Sequence, residues 1–157
     1  MLLYEIVDSF EAAKLKYALV GGYALALHGI VRATMDVDFV LALKQIDFEN
    51  AEASLAKIGL QSRLPIRAQD IIKMRKEYIE NRNLIAWSFV DFKNPSRMVD
   101  ILITKDIKDL KIEKVSVGGR KISVVSLQDL LEMKIEAGRP QDIIDIEHIK
   151  EKLNEKK

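Results

Sequence analysis

A glycine pair, followed after a short interval by Asp-x-Asp, constrains this chain more than any other feature. Residues 19–41 read LVGGYALALHGIVRATMDVDFVL. Leu19 and Val20 close an apolar run suited to a buried strand. Gly21 and Gly22 break it, and Tyr23 to His28 resume with helix formers. A strand, Gly-Gly, helix order leaves free backbone N–H groups at a helix start, where phosphate binds well. Asp36 and Asp38 lie in a second apolar run, MDVDFVL. Residues two apart in a strand share a face, so both carboxylates point one way and Val37, Phe39 and Leu41 the other. Two like charges that close repel unless a cation lies between them.

Composition narrows the classes. A chain of 157 residues with 48% hydrophobic residues is expected to be one domain, 1–157, with a real core. The net charge of +1 gives no reason to expect a protein that coats nucleic acid or a membrane surface. With no cysteine and two histidines, His28 and His148, thiolate sites are excluded and a zinc site is disfavoured. The start, MLLYEIVDSFEAAKLK, carries acids within its apolar stretch and does not read as a signal peptide. No run approaches the roughly 20 apolar residues of a membrane span, so a cytoplasmic location is expected.

The remaining pattern mixes helix and strand. Leu2, Leu3, Ile6, Val7, Phe10 and Leu15 predict a first amphipathic helix, followed by a strand over 17–20. Residues 35–43 read as the Asp-bearing strand. A helix through Ile46, Ala53, Leu55 and Ile58 stops at Gly59, and 69–80 reads as one charged helix. Strands are expected at 84–92 and 97–104, joined by a turn through Lys93, Asn94, Pro95 and Ser96. A strand pair over 115–125 bends at Gly118 and Gly119. A helix over 127–137, capped by Ser126, breaks at Gly138, and Pro140 opens a final helix running toward Leu153. This predicts an α+β domain with a mixed central sheet flanked by helices, the helices of 127–153 packing on the core. Trp87 and Phe89 read as core, and His28 as a helix-end or core histidine.

A third carboxylate sharpens the reading. Asp100 sits inside MVDILI, where an isolated ionised Asp would be costly unless paired, metal-bound or at the strand's mouth. If its strand neighbours that of Asp36 and Asp38, three carboxylates converge near the glycine turn. Oxygen donors alone suit Mg²⁺ or Mn²⁺. A phosphate cradle beside such a group is the equipment of phosphoryl or nucleotidyl transfer.

Val20-Gly21-Gly22, Asp36-Val37-Asp38 and Val99-Asp100-Ile101, in that order, resemble the nucleotidyltransferase superfamily with the DNA polymerase β-like fold. Ala24, His28, Gly29, Arg32 and Thr34 are similar to small stand-alone members. Lys134, Gly138, Arg139 and Asp142 resemble the abortive-infection toxin type. Gly22 stands where many members carry Ser; it keeps the N–H donors and lacks the hydroxyl.

The resemblance implies that Asp36, Asp38 and Asp100 hold Mg²⁺ or Mn²⁺ and carry the chemistry. It further implies that Gly21, Gly22, Tyr23, Arg32, Thr34, Lys134 and Arg139 contact a nucleoside triphosphate. The implied reaction moves a nucleoside monophosphate to a hydroxyl of a small molecule, an RNA or a protein and releases pyrophosphate. A role in a toxin–antitoxin pair, with a cognate partner protein, is compatible with it. A nucleotide- or partner-binding pseudoenzyme is the alternative. Lys134, Arg139 and Asp142 also admit a purely structural reading, as a surface salt-bridge set.

Overall fold

Apolar residues at helical spacing build α1 (Leu2–Ala12), which buries Leu3, Ile6, Val7 and Phe10 along one stripe. The computed structural model describes residues 1–31 and 36–155. β1 (Tyr17–Val20) is buried at every position and runs directly into α2 (Gly21–Leu27). β2 is Val37–Leu41 and α3 is Gln45–Ala56. After the two-residue β3 (Gln61–Ser62) come α4 (Ala68–Lys73), α5 (Arg75–Arg82), β4 (Ala86–Asp91) and β5 (Asn94–Leu102). A hairpin of β6 (Ile112–Val117) and β7 (Arg120–Val125) leads to α6 (Leu127–Ala137), a 3₁₀ turn at Pro140–Asp142, and α7 (Ile143–Glu155).

Among the described residues seven strands form one mixed sheet, ordered β3-β4-β5-β2-β1-β7-β6. β1 pairs antiparallel with β2 and parallel with β7, and β2 pairs parallel with β5. The α+β class and mixed sheet are as the sequence predicts. β2 and β5 lie side by side in a register that pairs Val37 with Val99, Asp38 with Asp100 and Phe39 with Ile101.

The core flanks those strands with aromatic rings. Phe10, Tyr17 and Phe39 form one cluster, with Phe10 and Phe39 edge to face at 5.2 Å. Phe48, Trp87 and Phe89 form another, and the Trp87 indole donates to Ser62 Oγ at 2.9 Å. Trp87 and Phe89 are thus core residues, as expected.

Several boundaries differ from the pattern reading. The charged helix of 69–80 is two helices parted at Met74, whose backbone (φ −106°, ψ 15°) leaves the helical region before α5 begins at Arg75. The hairpin between β4 and β5 turns at Phe92 and Lys93. The Asp91 carboxylate accepts the N–H groups of Lys93 and Asn94, so Asn94 and Pro95 already lie in β5. Residues 118–119 supply two left-handed conformations (φ 57° and 76°), which two-residue hairpins favour. The first helix ends before Leu15, which is buried in the following loop. β2 is Val37–Leu41 and ends before the expected 43, and Asp36 stands just before its first residue; Met35 lies outside the described residues. The Ser126 cap is as expected: its hydroxyl accepts the Asp129 N–H at 3.2 Å.

Candidate active site

β1 ends at Val20, directly across the ladder from Asp38 on β2. The chain then turns at Gly21 with φ +72°, a conformation side chains rarely adopt. A Cβ built there would lie 3.0 Å from Asp38 Cγ and overlap its Oδ2. Gly21 is therefore dictated twice, by backbone angle and by the Asp38 carboxyl resting over it. Gly22 is buried in the first turn of α2, and Tyr23 packs against the core in part.

On its other side Asp38 meets Asp100. The two are Cα partners in a parallel pair, which sets their carboxyl groups side by side. Burial and then the negative charges of Asp100 and Asp36 push Asp38 up to about 7, against the weaker pull of Lys134 and Arg139. Burial also raises Asp100, and Asp36 adds to that, while Ser88 Oγ donates to Asp100 Oδ1 at 2.5 Å and Arg63 pulls the other way. Asp36 is exposed at the start of β2, close enough for its charge to act on both.

The oxygen donors of Asp38 and Asp100 fit Mg²⁺ or Mn²⁺. Two carboxyl groups adjoin in a largely buried setting that penalises their negative charge, and a divalent cation would relieve that penalty. Among the described residues no three His, Asp or Glu side chains form a ready-made metal group. Mg²⁺ does not require one, because it is commonly held by one or two carboxylates and completed by substrate phosphates and water.

The C-terminal residues converge on a second acid cluster. Gly138 adopts φ +61° and ends α6, which lets Arg139 swing toward the 3₁₀ turn. Lys134 Nζ then lies 3.2 Å from Asp142 and 2.9 Å from Asp145. Arg139 meets Asp142 through Nε at 2.9 Å and Nη2 at 3.1 Å. This is no surface set: Asp142 is 1% exposed and Asp145 6%. Burial would raise Asp142, but hydrogen bonds and charge from Arg139 and Lys134 outweigh it and hold its carboxyl below the ordinary value.

The structure thus brings Asp38, Asp100, Gly21 and Gly22 together, sets Asp36 beside them, and places Lys134 and Arg139 within electrostatic reach. Arg32 and Thr34 lie outside the described residues. His28 Nε2 pairs with the Val125 carbonyl at 2.8 Å, a structural tie between α2 and β7. Pattern reading missed Ser88, Arg63 and Asp145. Ser88 was signalled by being polar between Trp87 and Phe89, and Asp145 by its three-residue spacing from Asp142. Arg63 left no local signal.

In backbone the chain has the fold of nucleotidyltransferases. It is similar to the antibiotic-resistance factor ANT(2'')-Ia (TM-score 0.67, 12% identity, 99% of this chain and 83% of that one). It also resembles the lincosamide antibiotic adenylyltransferase LnuA with lincomycin bound (TM-score 0.63, 17% identity, 95% and 94% covered). A third likeness is to an antigenic nucleotidyltransferase-like protein from Paracoccidioides brasiliensis (TM-score 0.57, 18% identity, 94% and 74% covered). No curated protein matches by sequence. Residues 1–156 match the nucleotidyl transferase AbiEii toxin family of Type IV toxin–antitoxin systems, and the chain belongs to that family. It is a nucleotidyltransferase. Among the described residues no helix is long and apolar enough to cross a membrane.

Proposed function

We propose that the chain transfers a nucleoside monophosphate from a nucleoside triphosphate to a hydroxyl acceptor, with Asp36, Asp38 and Asp100 as the metal-binding and catalytic carboxylates. The observation that carries this reading is the in-register adjacency of Asp38 and Asp100 beside Gly21. Asp38 and Asp100 would hold Mg²⁺ or Mn²⁺, with Asp36 at the exposed entrance. The ion would supply charge neutralisation to the phosphates and to the leaving pyrophosphate.

Each part of the chain has its own task. Gly21 keeps the space beside Asp38 open, so that phosphate and carboxylate can approach one centre. Gly22 and Tyr23 begin α2 and offer N–H groups toward the phosphates. Lys134 and Arg139 oppose the triphosphate's charge, with Arg32 and Thr34 completing its contacts. Asp100 accepts the acceptor's proton or helps hold the ion. In the toxin–antitoxin context of the family, the cognate partner protein is an antitoxin.

The test is incubation with each labelled triphosphate, Mg²⁺ or Mn²⁺, and a cell extract. Labelled acceptor and released pyrophosphate are expected from the unaltered protein and not from an Asp38→Asn, Asp100→Asn double variant. Equal labelling by both proteins would refute the assignment.

A further inference from the structure

Asp100 is held from outside the superfamily pattern, by the two strands at the β3 end of the sheet. Ser88 stands directly across from it on β4, as its Cα partner. The Ser88 hydroxyl donates to Asp100 Oδ1 at 2.5 Å, a short bond of the kind made to a charged carboxylate. The Ser88 carbonyl in turn accepts the Arg63 N–H at 2.9 Å, which ties the end of β3 to this point. Arg63 is exposed, and its positive charge favours the ionised form of Asp100. Trp87 and Phe89, on either side of Ser88, are fully buried and fix β4 in place. The backbone of Ser88 therefore cannot shift without moving the aromatic core, and the bond to Asp100 holds the hydroxyl itself.

A carboxylate on a strand can rotate about its Cα–Cβ and Cβ–Cγ bonds, and a small error in the position of a reacting group is costly. Asp38 stands beside Asp100 on β2, and the Ser88 hydroxyl holds the Asp100 carboxyl group from the β4 side. We propose that Ser88 is a positioning residue for Asp100: its hydroxyl occupies Oδ1 and reserves the second oxygen for the metal ion or the acceptor. This rests on the reading of Asp100 as a site carboxylate. Ser88 touches neither nucleotide nor metal in this scheme and acts only through Asp100.

The experiment compares the unaltered protein, Ser88→Ala, Ser88→Thr and Asp100→Asn by titrating Mn²⁺ in the presence of a non-hydrolysable triphosphate, followed by calorimetry and by the Mn²⁺ magnetic resonance signal. Melting temperature is recorded for each. Ser88→Ala is expected to weaken Mn²⁺ binding about tenfold with little change in melting temperature, and Ser88→Thr to restore it to within about threefold. Metal binding lost in Asp100→Asn but unchanged in Ser88→Ala overturns this inference alone. Weakened binding that Ser88→Thr fails to rescue, with a large drop in melting temperature, overturns it in favour of a purely structural role. No Mn²⁺ uptake by the unaltered protein overturns the underlying site reading, and this inference with it.

Discussion

Two acid clusters lie within electrostatic reach of one another, and they carry opposite perturbations. Asp142 is almost wholly buried, yet it is held below the ordinary carboxylate range. Asp38 is pushed up to about 7, first by burial and then by the neighbouring acids. Burial acts upward on both carboxyls, and the charge that each one meets decides whether it is offset. Asp142 has Lys134 and Arg139 in direct contact, whereas Asp38 has two further acids beside it and feels those cations only at a distance. The C-terminal cluster is neutralised by the chain itself. In the sheet cluster Asp38 keeps its raised pKa, and under the proposed function a divalent cation would offset that charge.

The largest effect that would test this contrast is loss of chemistry. Asp38→Asn with Asp100→Asn should lower transfer at least about 1,000-fold, about 4 kcal/mol of barrier. Pyrophosphate release measured under saturating triphosphate and Mg²⁺ would show it. Gly21→Ala should approach the same loss, since its Cβ would displace the Asp38 carboxyl.

The next effect is on stability at the other cluster. Asp142→Ala leaves Lys134 and Arg139 without their shared partner, so it should destabilise the fold by about 3 kcal/mol. The urea midpoint is the measurement. Asp38→Asn should do the reverse. In the unfolded chain Asp38 titrates near 3.8 and in the fold near 7, so the folded state binds the extra proton. Ionised Asp38 therefore costs stability progressively as pH rises from about 4 through 7, and the cost is complete above that. The metal-free Asp38→Asn protein should be more stable at pH 8 by up to about 4 kcal/mol, about 3 pKa units at about 1.4 kcal/mol each, and unchanged near pH 3. No difference in melting temperature between the two pH values would break the contrast.

The smallest predicted effect separates the two cations. Arg139 has a side chain 52% exposed, whereas that of Lys134 is only 11% exposed between two buried acids. Arg139→Ala should weaken triphosphate binding about tenfold, about 1.4 kcal/mol, with melting temperature nearly unchanged. Lys134→Ala should lose affinity and stability together, because it removes the buried cation that contacts both Asp142 and Asp145. Equal melting losses in the two variants would show that both merely brace α6 against α7.

Local rules carried the sequence reading a long way. The 3.6-residue spacing of Leu3, Ile6, Val7 and Phe10 placed α1, the glycine pair at 118–119 placed the β6–β7 turn, and Ser126 and Gly138 bounded α6. Each of these depends on neighbours within a few residues. The same local view took Lys134, Arg139 and Asp142 for a surface set as readily as for part of a site, because burial is not a local property. It also joined α4 and α5, where charge pattern gave no sign of the break at Met74.

For the site, the sequence by itself determined which chemistry was available. Oxygen donors without cysteine, a glycine turn and three acids in apolar strands leave few uses other than a hard cation and phosphate. What only the tertiary structure decided is which of these groups meet. Asp38 and Asp100 are 62 residues apart by their numbering, and a parallel register between β2 and β5 puts them side by side. Gly21 must lack a side chain because Asp38 arrives over it from the neighbouring strand, and Ser88 matters only because β4 pairs with β5 in one register. A strand's pattern fixes which face a side chain takes. Hydrogen bonding between strands distant in sequence fixes what that face meets.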